Sequence, residues 1–451
     1  MNTLWHDLWQ LLTFDVPHNT ATVLRGVSVL GLACGVIGTF LLLRKRSLVA
    51  DAVSHATLPG VCIGFLLAIW LGLDGRSMWL LLGSAAVAGM MGIAVMQWLT
   101  SLPRVKEDAA IGVVLSVFFA VGVVLLGLIQ NMPVSQKAGL SSFIFGQAAT
   151  MHPRDANAIL LIAILVLAVA GISFKELRLL CFDAGYARSL GYARILLDGL
   201  LMMLVMTLTV IGLHAVGVLL MVALLIIPAV AARFWTVRLG SMALLAACFG
   251  GVGAYSGAAA SAMLPDVPTG PAIVLACGVL FIISLTFGAS HGLALQMLRR
   301  WLLARRVARQ HLLRAMFECE ELAGGEHAIT LDALLTRRRW LKTNLHRTLK
   351  RLLRRGDLVS VNHGYQLTHK GRAAAMAVVR SHRLWEHYLT TQADIAPSHV
   401  DRAADDIEHV LGEDLVRELE ATLAQQYPPV PAHGQPIPQS PHTLTDEEQQ
   451  R

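Results

Sequence analysis

Nine stretches of this 451-residue chain, near 22–43, 50–73, 78–100, 109–129, 155–174, 194–213, 215–233, 240–263 and 268–287, are almost wholly apolar. Each is close to the roughly 20 residues that an α-helix needs to cross about 30 Å of hydrocarbon. In hydrocarbon every backbone N–H and C=O must be satisfied by the protein, and a helix does this within one segment. The expected fold up to about residue 290 is therefore an all-α polytopic membrane protein with eight or nine transmembrane helices. Composition agrees, since 55% hydrophobic and 15% charged residues are too apolar a mixture for an ordinary soluble enzyme.

The loops orient the spans. Arg44, Lys45 and Arg46 follow the first run, Arg104 and Lys106 the third, Lys175, Arg178 and Arg188 the fifth, and Arg233 and Arg238 the seventh. An arginine-rich stretch from Arg299 to Arg309 follows the ninth, whereas the alternate loops carry only single cations. The positive-inside rule then places the N-terminus outside and everything after the last span in the cytoplasm. Residues 1–20 lack a basic n-region and contain Asp7 and Asp15, so they read as an interfacial segment and not as a cleaved signal peptide. The six cysteines show no CxxC spacing, which indicates neither a disulfide framework nor a thiolate zinc site.

Ionisable residues within spans are costly and usually face a polar cavity. Asp51 and His55 stand at i and i+4, on one helix face. One hard oxygen and one imidazole nitrogen suit Mn²⁺, Fe²⁺ or Zn²⁺; a structural hydrogen bond is the alternative. Pro59-Gly60 and Pro228 are expected to interrupt their spans. Asp198 and His214 lie near span ends and read as interfacial, and Glu107 and Asp108 read as partners of a helix N-terminus.

The string Asp51-Ala-Val-Ser-His55-Ala-Thr-Leu-Pro59-Gly60 resembles the second-helix signature of the manganese, zinc and iron class of ABC importer permeases. Glu107-Asp-Ala-Ala-Ile-Gly112, Val216-Gly-Val-Leu-Leu, Leu225-Ile-Ile-Pro228-Ala and Pro268-Thr-Gly-Pro271-Ala-Ile-Val274 extend the resemblance over about 15–290. It implies that Asp51 and His55 contact the transported cation. It also implies that the segment holding Phe182, Asp183, Ala187 and Gly191 is a coupling helix docking into a separate cytoplasmic ATPase subunit. Further implied partners are a periplasmic or surface metal-binding protein and a second permease subunit, identical or paralogous, in a bacterial inner membrane. The chain contains no G-x-x-x-x-G-K-[ST] loop, so it is expected to bind no nucleotide itself; it reads as a transporter subunit and not an enzyme.

Beyond 290 the chemistry changes. A basic linker is expected at 291–308, a DNA-binding domain at 309–378, a metal-binding and dimerisation domain at 379–438, and a disordered tail at 439–451. Leu312, Leu313, Met316 and Phe317 form a helical stripe over 309–323, Gly324-Gly325 ends it, and Thr330 caps a short helix. Leu341, Leu345, Leu349 and Leu352 mark the buried face of a third helix ended by Gly356. Its other faces carry Lys342, Thr343, Asn344, His346, Arg347, Lys350 and Arg351. Two short strands, Leu358 to Val361 and Tyr365 to Leu367, flank a turn. Helix, helix, basic helix and hairpin is the order of a winged helix-turn-helix, whose third helix enters the major groove of operator DNA. A solvated face, or a helix lying on anionic lipid, is the competing account of those cations.

His382 and Glu386 again stand at i and i+4, and Asp401, Asp405, Glu408 and His409 recur at helical spacing. Carboxylates and imidazoles converging from two helices would hold a first-row divalent ion without thiolate. Leu312-Leu-Arg-Ala-Met-Phe317, Leu367-Thr-His-Lys-Gly-Arg372, His382-Arg-Leu-Trp-Glu386, Glu408-His409-Val-Leu and His433-Gly-Gln-Pro-Ile-Pro438 resemble metal-dependent repressors of the diphtheria-toxin-repressor and manganese-responsive type. That resemblance implies a regulatory metal held by His311, His382, Asp405, Glu408 and His409. A carboxylate at 405, where iron-type members have Cys, favours manganese, with iron and zinc as alternatives. Asp401 and His311 depart from the iron-type ancillary pattern. Two other roles for this region follow from the same residues: a metal-gated inhibitory domain that no longer binds DNA, or a soluble repressor released by cleavage at Arg299-Arg300 or Arg305-Arg306.

Overall fold

The computed structural model describes residues 18–72, 78–132, 151–264, 267–325, 327–337 and 340–392. The chain divides into two compact units, Met1–Gln296 and Met297–Arg451.

The first unit is a helical bundle. Its described elements are α1 (His18–Leu43), α2 (Ser47–Trp70), α3 (Met78–Ser101), α4 (Glu107–Asn131), α5 (Pro153–Ile172), the short α6 (Phe174–Phe182) and α7 (Ala184–Ser189), then α8 (Arg194–Val216), α9 (Val218–Arg233), α10 (Leu239–Met263) and α11 (Thr269–Phe287). Among the described residues eight helices are long and apolar enough to cross a membrane. The seventh apolar run, expected as a full span over 215–233, becomes the 16-residue α9. Gly217, at φ +81°, ends α8 after Val216 and costs α9 its first turn. Sixteen residues rise about 24 Å, short of the hydrocarbon core.

The expected interruptions at Pro59 and Pro228 do not occur, because α2 and α9 run through them. Proline deletes one helix hydrogen bond without forcing the chain apart when neighbouring helices pack around it. Around Pro59 the helix is buried, with Val53, Ala56, Leu58 and Val61 in the core of the bundle.

Helix α1 is the axis of the bundle, buried along most of its length against α10, α9, α5 and α8. Its glycines explain why. A β-carbon at Gly31 would run into the Gly250 carbonyl and one at Gly250 into the Gly31 carbonyl; Gly35 meets Ala246 in the same way and Gly38 meets Leu225. Small residues let these backbones approach closely, which is how apolar helices gain contact energy when no hydrophobic difference exists between lipid and side chain. The outer helices α4, α5 and α11 instead expose Val, Leu and Ile around much of their circumference.

Helix α12 (Leu293–Leu322) begins at the end of the first unit and runs on into the second, which also contains α13 (Leu331–Arg337), α14 (Lys342–Arg355), β1 (Leu358–Val361), β2 (Gly364–Leu367) and α15 (His369–Gln392). Helix α12 begins at Leu293, so the segment expected as a linker over 291–308 is helical. It contains no Gly or Pro between Leu293 and Leu322 and is rich in Leu, Ala and Arg, all good helix formers. Leu312, Leu313, Met316, Leu334, Leu345, Leu349, Leu352, Leu358 and Leu367 share one core. Leu341 departs from the expected buried stripe: it is the N-cap of α14 and is 72% exposed. The hairpin closes through Asn362 and His363, both left-handed, as a two-residue turn between paired Val361 and Gly364 requires. Ile329 adds a third rung by exchanging backbone hydrogen bonds with Tyr365 at 2.8 and 2.9 Å.

Candidate metal sites and the DNA-facing helix

Asp51 lies four residues into α2, and its Oδ1 is 3.3 Å from Nε2 of His55. Both side chains are half-buried. The His55 ring packs edge-on against Phe119 of α4, with centroids 4.9 Å apart, which fixes the imidazole plane from the next helix. Proline at 59 has no N–H to give the His55 carbonyl four residues back, so α2 carries a carboxylate, an imidazole and a carbonyl without its usual i+4 donor within one turn. That donor set fits a borderline divalent cation. Among the described residues no three His, Cys, Asp or Glu side chains converge on one point. A complete coordination sphere in the first unit therefore needs ligands beyond this pair.

An ion-pair network that no sequence motif announces closes one end of the bundle. Arg44 Nη2 donates to both oxygens of Asp198, at 2.7 and 3.0 Å, and Arg44 Nη1 donates to the Leu180 carbonyl at 3.3 Å. Arg46 Nη1 lies 3.4 Å from Asp198 and its Nε pairs with Glu107, while Arg194 Nε is 3.5 Å from Asp198. Asp198 is thus the buried hub where α1, α2, α4 and α8 meet. Glu107 stands in the first turn of α4, as expected of a helix-end partner, and also bridges to Arg46. The one signal along the chain is the placement of Arg44 and Arg46 at the end of a span, and partner choice over such separations is not local.

The segment expected to dock an ATPase is α6, a bend at Asp183, and α7. Asp183 accepts the Tyr186 N–H at 2.8 Å and so caps α7. Ala187 is fully buried, Gly191 adopts φ +85° after the helix, and Phe182, Tyr186 and Leu190 project outward as large exposed apolar side chains. Burial pushes the Cys181 thiol of α6 up to about 11, with Arg44 lowering it and Asp198 raising it by lesser amounts.

In the second unit His382 and Glu386 lie on α15, with Nε2 to Oε1 at 3.2 Å, and both are buried. Arg314 of α12 brings Nη1 to 3.0 Å from His382 Nδ1. A guanidinium can only donate, so Nδ1 accepts and Nε2–H donates to Glu386: the ring is held as a neutral imidazole, the form that ligates metals. Arg314 also donates to Glu318 at 2.6 Å, and Arg372 to Glu320 at 2.8 Å. His311 is half-buried on α12, one turn before Arg314. The residue types suit a divalent ion, but both ring nitrogens are engaged, so an ion would take Nδ1 only by displacing Arg314. Asp405, Glu408 and His409, the remaining expected ligands, lie outside the described residues.

Helix α14 places Lys342, Thr343, Asn344, His346, Arg347 and Lys350 in solvent with Arg351 half-buried. It contains no carboxylate, so its outer face is a continuous cationic strip of the kind that meets phosphate.

Comparison with known proteins places both units. Residues 18–288 match the ABC 3 transport family, and residues 368–439 match the iron dependent repressor, metal binding and dimerisation domain. The manganese transport system membrane protein MntC of Bacillus subtilis is 37% identical over 400 residues, covering 88% of this chain and 90% of that protein. An alignment of that length exceeds the 18–288 match, so the similarity continues into the second unit. The zinc transport system membrane protein TroC of Treponema pallidum is 41% identical over 295 residues, covering 65% of this chain and 96% of its own. The solved structure of PsaBC from Streptococcus pneumoniae in complex with Fab superposes with a TM-score of 0.54 at 29% identity, over 64% of this chain and 97% of that one. With a multi-pass helical bundle matched over more than half its length and a repressor-type domain matched behind it, the chain belongs to the ABC 3 transport family and carries a metal-dependent-repressor domain at its C-terminal end.

Proposed function

We propose that this chain is the membrane permease of an ABC importer for a divalent transition metal, Mn²⁺ in the first instance with Fe²⁺ and Zn²⁺ as alternatives. The observation that carries the reading is the Asp51–His55 pair at 3.3 Å inside a span of a family whose curated relatives are named for manganese and zinc transport. Two permease subunits would bring two such pairs together and so supply the further ligands. A binding protein delivers the ion from outside. A cytoplasmic ATPase docks on the segment of Phe182, Asp183, Ala187 and Gly191, through the exposed Phe182, Tyr186 and Leu190 beside the buried Ala187, since the chain has no phosphate-cradling loop of its own. The distribution of loop cations supports a cytoplasmic location for this segment and for the second unit, with the bundle in a bacterial inner membrane.

In the second unit His311, His382, Asp405, Glu408 and His409 hold a regulatory metal, and Lys342, Thr343, Asn344, His346, Arg347, Lys350 and Arg351 face operator DNA. The domain division 309–378 and 379–438 belongs to this same proposal. Metal occupancy and DNA affinity are then linked reciprocally. The helical course of α12 through Arg299-Arg300 and Arg305-Arg306 supports a permanent tether over a cut precursor, because proteases bind extended chain.

Uptake of radioactive manganese into proteoliposomes containing permease, ATPase and binding protein tests the transport reading. Asp51→Ala and His55→Ala are expected to abolish uptake while leaving ATPase docking intact. Uptake at wild-type rate in both variants would overturn the assignment of the pair.

A further inference from the structure

Helices α12 and α14 of the second unit face each other across a cavity of about 730 Å³. On α12 it is lined by Leu302, Arg305, Arg306 and Arg309, at i, i+3, i+4 and i+7. On α14 Thr348, Arg351, Leu352 and Arg355 repeat the same spacing, with Arg354 beside them. This is the spacing at which two packed helices ordinarily present apolar residues to each other, yet most of these positions are arginine. Arg309 is neutralised by Asp357, with both contacts at 3.0 Å. Arg305, Arg306, Arg351, Arg354 and Arg355 make no ion pair among the described residues, and Nε of Arg305 is buried without a hydrogen-bond partner. Five cations lining one concavity give it a positive potential that attracts an anion.

The rest of α12 identifies the class of anion. The helix starts at Leu293, shortly after the apolar helix α11 ends at Phe287. Met297, Leu298, Trp301 and Leu302 are all exposed, and the Arg305 guanidinium stacks over the Trp301 ring. Exposed Leu, Met and Trp interleaved with arginine are the composition of a helix lying in a bilayer interface. Duplex DNA offers phosphate but nothing for that apolar face. We infer that the cavity between α12 and α14 binds the phosphate headgroup of an anionic phospholipid, with Met297, Leu298, Trp301 and Leu302 set into the interface beside it.

Hydrogen exchange of the full-length protein in lipid nanodiscs tests this. Exchange across 302–309 and 348–355 is compared in phosphatidylcholine alone and in phosphatidylcholine mixed with phosphatidylglycerol. The expected result is slower exchange in both segments with phosphatidylglycerol, and a loss of that protection in the triple variant Arg305→Gln/Arg351→Gln/Arg354→Gln. Near an anionic surface the loss should approach roughly fivefold for each arginine removed. The matching Arg→Lys triple variant, which keeps charge and leaves the Leu345, Leu349 and Leu352 core untouched, should retain most of the protection and so controls for folding. Equal exchange in the two lipid compositions would overturn the proposal. So would equal protection by inorganic phosphate or glycerol phosphate in phosphatidylcholine discs, which would make this a soluble-anion site. Protection by duplex DNA where phosphatidylglycerol gives none would make it part of the DNA surface and equally refute it.

Discussion

Arg44 and Asp198 form a two-pronged ion pair, with one guanidinium nitrogen 2.7 and 3.0 Å from the two carboxylate oxygens, each side chain only 10% exposed. They are 154 residues apart in sequence. The pair fastens the end of α1 to the start of α8 and recruits Arg46, which in turn holds Glu107 at the start of α4.

Removing one partner of a buried pair leaves the other charge uncompensated, at a cost of about 3–5 kcal/mol. Asp198→Ala strands Arg44 and leaves Arg46 with Glu107 alone, and should lower the melting temperature of the detergent-solubilised protein more than Glu107→Ala, whose carboxylate is nearly half exposed. Equal melting shifts would mean that Asp198 is not the hub.

The backbone contact between α1 and α10 predicts a sharp size threshold. Gly31→Val should separate the helices and reduce folded yield, since overpacking commonly costs about 1–3 kcal/mol or more where backbone atoms must move. A β-carbon at Gly199 meets nothing within 4 Å. Gly199→Ala should instead be neutral or gain up to about 1 kcal/mol from helix propensity. Fluorescence size-exclusion of the two variants reads the contrast.

Cys181 should react slowly with maleimides or iodoacetamide. With its pKa pushed up to about 11, roughly one thiol in a thousand is ionised at pH 8, and only the thiolate attacks. In a protein whose other cysteines are replaced, the alkylation rate should keep rising about tenfold per pH unit up to about pH 10. A plateau near pH 9 would show an ordinary thiol.

If His382 ligates the regulatory metal, Mn²⁺ should slow hydrogen exchange along α15 of the full-length protein, and His382→Ala should remove the effect. Arg314→Met is expected to preserve the response, because it frees Nδ1 while leaving the His382–Glu386 pair in place. Unaltered protection in His382→Ala would move the metal elsewhere.

Binding of the full-length protein to its own promoter DNA should weaken steeply with salt. Arg347→Ala and Lys350→Ala should each reduce the slope of log affinity against log salt by about 0.9 for every phosphate that the variant no longer neutralises. An unchanged slope would favour the inhibitory-domain role for the second unit over the repressor role.

The spans, the loop cations, the order helix, helix, basic helix and hairpin, and the i, i+4 pairs Asp51–His55 and His382–Glu386 are all legible in the residues alone. Each depends on local periodicity or on a length set by hydrocarbon thickness, quantities that neighbouring residues carry by themselves. Proline misleads at Pro59: its missing N–H predicts a break, but the packed helix tolerates the loss of one hydrogen bond. The arginines after residue 298 are ambiguous, because a run of them suits a membrane-edge joint and is also strongly helix-forming. Tertiary structure alone decides that Asp198 binds Arg44, that Gly31 faces Gly250, that Arg314 occupies one nitrogen of His382, and that arginines from two helices surround one cavity. Those relations join positions tens to hundreds of residues apart, and long-range pairing follows from how helices pack and not from any pattern along one of them.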